Sequence, residues 1–89
     1  MVYKVILSPR AQQEIDLAAS FYFERSIYAG QQFKIALQMA FNHLETFPFQ
    51  VVRYKNIRSL KLKRFPFSLF YIASDKRPLV KALDCFHNI

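Results

Sequence analysis

A single glycine in 89 residues, Gly30, leaves no means of building a glycine-rich phosphate cradle, so the usual nucleotide-binding loops are excluded. A single cysteine, Cys85, excludes an internal disulfide and with it the stapled scaffold of small secreted domains. His43, His87 and Cys85 are the only imidazole or thiol ligands, and they lack the paired spacing of a zinc site. No apolar run approaches the ~18 residues that span a bilayer. The opening Met1-Val2-Tyr3-Lys4 lacks the charged-then-apolar layout of a signal peptide. The expectation is a cytoplasmic protein with no membrane span, metal or cofactor. Acidic groups are also scarce, with six Asp plus Glu against thirteen Lys plus Arg, a net charge of +7.

What is present in abundance is apolar surface. Hydrophobic residues make up 53% of the chain, ten of them Phe and five Tyr. A chain this short buries only ~60 to 65% of its unfolded surface, so stability must come from dense packing. The length has room for one domain, residues 1–89, and no second core. The apolar content offsets chain entropy despite the charge, which argues against disorder.

The charge is unevenly distributed. Residues 1–52 carry Lys4, Arg10, Arg25 and Lys34 against Glu14, Asp16, Glu24 and Glu45, and balance to zero. The whole excess lies in residues 53–89, where nine basic groups face only Asp75 and Asp84. A half-chain charged in this way suits a polyanionic partner, nucleic acid or an acidic protein segment. It equally suits a basic surface that keeps the protein soluble.

Val2 to Leu7 alternates as a strand. Ser8-Pro9 supplies an N-cap and a proline at the first helical position. Ala11, Ile15, Ala18 and Tyr22 then recur at helical spacing. A break is expected over Ser26 to Gly30, followed by a helix from about Gly30 to Phe47 with Phe33, Leu37, Ala40 and Leu44 on one face. Leu17 with Phe21, and Ile35 with Met39, are apolar pairs off these stripes and are assigned to packing helix against helix. From Arg53 the period becomes two, with Leu60 and Leu62 alternating with Ser59, Lys61 and Lys63. Phe67 to Ala73 is apolar on both faces, as a central strand would be, and Leu79 to Phe86 forms the last strand after a polar turn. The expected architecture is α+β, in the order β-α-α-β-β-β, with a helical hairpin on one face of a small antiparallel sheet.

Chemistry-bearing residues concentrate in Ile57 to Tyr71. Lys61 and Lys63, two apart on a strand, would leave one face roughly 7 Å from each other, near the spacing of successive phosphates. Arg58 and Arg64 fall on the opposite parity. Solvated lysines on an open sheet face are the competing reading. Cys85 is assigned to the core and His43 to a solvated helix face.

These elements, taken in order, resemble the RelE/ParE superfamily of toxins from bacterial type II toxin–antitoxin pairs. The resemblance runs through Tyr3-Lys4-Val5, Leu7-Ser8-Pro9-Arg10-Ala11, Phe21-Tyr22, Phe33 to Leu44, Phe47-Pro48, Ile57-Arg58-Ser59-Leu60, Phe65-Pro66-Phe67-Ser68-Leu69-Phe70-Tyr71 and Phe86-His87. It implies a toxin that arrests growth, with a cognate acidic antitoxin as partner and a homodimer or toxin–antitoxin hetero-oligomer as assembly. ParE-like members bind DNA gyrase. RelE-like members are metal-independent endoribonucleases acting on ribosome-bound mRNA, and fold alone does not choose between the two.

The resemblance sets Lys61 and Lys63 at the basic positions of the second strand, catalytic if the chain is a nuclease, with His87 either a general acid or base beside them or a strand-end histidine without a catalytic role; Arg58, Lys61, Lys63 and Arg64 are the candidates for contacting the target or nucleic acid. The nucleases carry an arginine where this chain has Ser68, and the groups that follow their last strand have only Asn88 and Ile89 to occupy here. A lost phosphate-stabilising donor removes about 3 to 4 kcal/mol from a transition state. The balance therefore tilts to the ParE-like reading, with an inactive homologue serving as a binding module as a further alternative.

Overall fold

The computed structural model describes residues 2–49, 52–74 and 76–88, with 52–54 as backbone only. The elements are β1 (Lys4–Leu7), α1 (Pro9–Arg25), α2 (Ile27–Thr46), β2 (Val52–Tyr54), β3 (Ile57–Lys61), β4 (Phe67–Ser74) and β5 (Leu79–His87).

Ser8 starts α1 as its sequence position predicts. Its Oγ accepts from the Ala11 N–H at 3.0 Å and donates to the Leu83 carbonyl at 2.9 Å, so one hydroxyl caps the helix and ties it to the sheet. The expected break before α2 shrinks to one residue. Ser26 closes α1 by donating its backbone N–H to the Tyr22 carbonyl, and opens α2 by accepting from the Ala29 N–H at 2.9 Å. A single residue can do both because its extended backbone serves one helix as C-cap and the other as N-cap. Gly30 therefore lies inside α2, where a Cβ would overlap the ring of Phe23.

The sheet order is β1-β5-β4-β3-β2, with β4 central. The three longest-paired strands form the expected meander, but the sheet is mixed, because β1 runs parallel to β5 from Lys4↔Leu79 to Leu7↔Ala82. The two helices carry the chain across one face to the far edge, leaving β5 to return beside β1. A fifth strand also appears. The segment expected as one strand from Arg53 folds into the β2–β3 hairpin, with Lys55 at φ 52° in its turn. Asn56 lacks the following glycine that announces such turns, so the hairpin carried no strong signal.

The core lies between the helices and one face of the sheet. Phe33, Leu44, Leu62, Leu69, Tyr71 and Val80 are fully buried in it. Tyr22 stacks on Phe33 at 5.1 Å, and Phe65 and Phe67 meet both rings edge-on. Such aromatic pairs add about 0.5 to 1.5 kcal/mol each beyond their buried area. Tyr71 also carries its hydroxyl inside, donating to the Pro48 carbonyl at 2.8 Å and fixing the segment that leaves α2.

One packing assignment is overturned. Leu17, Phe21, Ile35 and Met39 are 66%, 50%, 51% and 50% exposed, so neither pair packs helix on helix. Tyr22 against Phe33 and Phe23 against Gly30 make that contact instead. The glycine lets the Phe23 ring lie on the backbone of α2, which removes the need for a large apolar pair between the helices.

Candidate binding surfaces

The register of β4 separates two faces. Phe67, Leu69, Tyr71 and Ala73 pack against the core, so Ser68, Phe70, Ile72 and Ser74 point to the side the helices leave uncovered. Lys61 pairs with Ser68 and is exposed on that open face, as its alternation with Leu60 implies. Lys63 does not accompany it. β3 ends at Lys61, and Leu62 turns inward, fully buried, with its N–H donated to the Phe67 carbonyl at 2.8 Å. Lys63 and Arg64 therefore belong to the β3–β4 turn, with Arg64 in the left-handed region at φ 71°. Phe65, pinned into the aromatic cluster, holds that turn against the core.

Arg58 pairs with Tyr71, which gives it helix-side parity, and its guanidinium lies 5.2 Å from the centroid of the Phe49 ring. His87 pairs with Phe67 and sets its ring edge-on to that residue at 5.0 Å, on the helix side of the sheet. Lys61 and His87 thus leave opposite faces. Ser68 is buried, and its hydroxyl donates to Asn88 Oδ1 at 3.1 Å, while the Asn88 N–H donates to the Pro66 carbonyl at 2.6 Å. Ser68, the position that the resemblance sets against the nucleases' arginine, is thus a small hydroxyl bonded to Asn88.

Two apolar depressions flank the helical hairpin. The first, with a volume of about 430 Å³, lies between α2 and the β3–β4 turn, where Tyr28, Ile35 and Met39 meet Phe65 under a rim of Lys63 and Arg64. Among the described residues no carboxylate lines it. The second lies beside α1, between Leu17 and the end of β5, and includes Glu14 and His87. Glu14 accepts the Cys85 N–H at 3.2 Å, and Arg10 lies 2.8 Å from Asp84 Oδ1, so the stretch of β5 that extends past β1 is fastened to α1 by side chains.

Sequence reasoning did not foresee Phe86 on the open face. Counted by strict alternation from Val80, which faces the core, Phe86 would also face the helices. The pairing shifts between Phe70↔Asp84 and Tyr71↔Ala82, leaving Leu83 as an extra residue, and this bulge turns Phe86 outward while keeping Cys85 inside.

The architecture is that of an α+β domain in which an αα-hairpin covers one face of a mixed five-stranded sheet. The same fold occurs in a chain of the solved structure described as "Chromosomal ParDE TA system from P. aeruginosa", with a TM-score of 0.73, 17% sequence identity, and coverage of 99% of this chain and 98% of that one. No family model matches the sequence, and no curated protein does.

Proposed function

We propose that this chain is the toxin half of a toxin–antitoxin pair, that it acts in the cytoplasm by binding DNA gyrase rather than by cutting mRNA, and that a co-encoded acidic antitoxin neutralises it. The observation that carries the reading is the likeness of fold to a chain of a ParDE toxin–antitoxin system, which extends over nearly the full length of both chains.

The choice of mechanism rests on geometry. Metal-independent RNA cleavage needs a base, an acid and a phosphate-stabilising cation converging on one phosphodiester. Lys61 and His87 lie on opposite faces, Lys63 sits in a turn, and Ser68 stands in place of a cation with its hydroxyl bonded to Asn88. That dispersal supports a toxin acting by binding.

Expression from a tight promoter is expected to reduce colony formation, and co-expression of the acidic reading frame adjoining the gene is expected to restore it. Purified protein is expected to inhibit gyrase supercoiling and to leave ribosome-bound mRNA intact. Cleavage of mRNA abolished by Lys61→Ala would establish the ribonuclease instead. Unchanged growth at confirmed soluble expression would establish an inactive homologue.

The groove between α2 and the β3–β4 turn is the antitoxin contact we favour. Its apolar floor and cationic rim suit an amphipathic acidic segment that folds on binding. Charge then governs encounter, and burial governs residence. In surface plasmon resonance with the antitoxin, Lys63→Glu with Arg64→Glu is expected to slow association most at low salt, while Ile35→Asp speeds dissociation.

A further inference from the structure

The corner where α1 gives way to α2 exposes apolar side chains that the fold does not require. Ser26 alone joins the helices, so the last turn of α1 and the first of α2 share this corner. Ile27 and Tyr28 are each 70% exposed there, with Phe21 at 50% and Phe23 at 37%. Helix α2 starts at the Ser26 cap, and its buried stripe begins only at Gly30 and Phe33, so apolar groups at 27 and 28 serve neither purpose. Cations accompany the rings. The Arg25 guanidinium carbon lies 4.6 Å from the centroid of Phe21, and Lys34 Nζ lies 5.7 Å from that of Phe23. Lys63 and Arg64 border the depression that Tyr28 also lines. From Phe21 to Lys34 the sequence holds one carboxylate, Glu24.

Rings with cations lying over them suit one class of partner better than another. A protein pocket that took Phe21 or Phe23 would have to desolvate the cation as well, which is costly without a placed counter-charge. At a bilayer surface the two groups part without loss, the ring entering the acyl boundary while the flexible Arg or Lys side chain reaches the phosphates. An exposed corner also needs a matching cleft in a rigid partner and none in a fluid one. Anionic lipids supply the charge match, since each Lys or Arg held near such a surface strengthens binding about fivefold.

We propose that the α1–α2 corner docks on the surface of an anionic bilayer, with Ile27 and Tyr28 inserted at the boundary of headgroups and acyl chains and Arg25 and Lys34 on the lipid phosphates. Lys63 and Arg64, behind Tyr28, add to the positive field that the lipid meets. The chain then lies on the membrane without crossing it, and no helix among the described residues is long and apolar enough to cross one. Docking is independent of the toxin reading, since it involves only the purified chain and lipid.

The test is co-flotation of the full chain with vesicles of phosphatidylcholine alone, and of phosphatidylcholine with about 30% phosphatidylglycerol, at about 50 and about 150 mM salt. The anionic vesicles are expected to carry the chain, and the neutral ones to leave most of it free. Ile27→Ser with Tyr28→Ser is expected to weaken the partition about tenfold through lost apolar insertion. Lys34→Ala is expected to weaken it about fivefold.

Lys4→Ala is the control, because it removes the same charge from the other end of the molecule. The Tyr3 N–H donates to the Glu45 carbonyl, so Lys4 lies by the C-terminal end of α2, about 27 Å from Ile27 at ~1.5 Å per residue. That is several Debye lengths at physiological salt, and the partition is expected to stay within about twofold of wild type. All the replaced side chains are exposed, and circular dichroism verifies that each variant is folded. Full binding by the double serine variant, or equal losses in Lys34→Ala and Lys4→Ala, would overturn the proposal in favour of adsorption by net charge. Absence of association with the anionic vesicles at the lower salt would overturn it as well, and would leave the corner to a protein partner.

Discussion

The two faces of the sheet carry the same kind of side chain to opposite ends. On the covered face Phe33, Phe65, Phe67 and Tyr22 lock together at centroid distances of 4.9 to 6.3 Å, and their rings hold the helices and the β3–β4 turn. On the open face Phe70 and Phe86 lie as close, at 5.5 Å, with no helix above them. Ring proximity does not distinguish a core from an open sheet face. What distinguishes them is the neighbours: the covered rings are surrounded by further apolar groups, whereas the open pair is framed by Lys61 and Lys81.

Removing a ring from the covered side is expected to have the largest effect. Phe33→Ala opens a cavity beneath Tyr22, Phe65 and Phe67 and is expected to cost about 3 to 5 kcal/mol in urea denaturation, against little for Phe86→Ala. Equal costs would erase the distinction between the faces. Gly30→Ala comes next, destabilising by about 1 to 3 kcal/mol because the new Cβ overlaps the Phe23 ring. Adding Phe23→Ala is expected to recover most of that loss, and a double-mutant cycle measures the coupling.

Tyr71→Phe keeps the ring and strands the Pro48 carbonyl, for an expected loss of about 1 to 3 kcal/mol by the same denaturation. Smallest of all, Leu17→Ser and Ile35→Ser are each expected to change stability by less than about 0.5 kcal/mol, since both side chains are more than half exposed. A loss of several kcal/mol at either would restore them to the helix interface.

The element order outside the β2–β3 hairpin, the Ser8 cap, the buried stripes of both helices and the central place of β4 were all legible, because each is written in a local period or a local cap. Three further features were not. The parallel pairing of β1 with β5 joins residues more than seventy positions apart, and no local pattern encodes it. The exposure of Leu17, Phe21, Ile35 and Met39 depended on Gly30 admitting a ring, a contact between helices that spacing along one helix does not express.

The third was the outward turn of Phe86, hidden by the Leu83 bulge, since one inserted residue reverses every later parity. The basic residues of the candidate site were visible by composition. Their dispersal was not, because the alternation of Leu60, Lys61 and Leu62 makes Lys63 look like a strand residue, whereas β3 ends at Lys61 and Lys63 lies in the turn that follows.

Cys85, set in the core beneath α1, gives the fold a native reporter of its own opening. Burial, and after it the nearby Glu14 charge, raises its thiol from 9.0 to about 11, and only the thiolate reacts with alkylating reagents. At neutral pH the folded chain therefore presents almost no nucleophile, and modification must wait until β5 separates from α1 or the whole chain unfolds. The sign for stability follows. The folded state holds its proton more tightly than the unfolded one, so this contribution is intact below the unfolded thiol's value and is lost as pH rises through about 11. Alkylation rates, followed by mass spectrometry with increasing urea, would then time the opening of the β5–α1 seam without any introduced label.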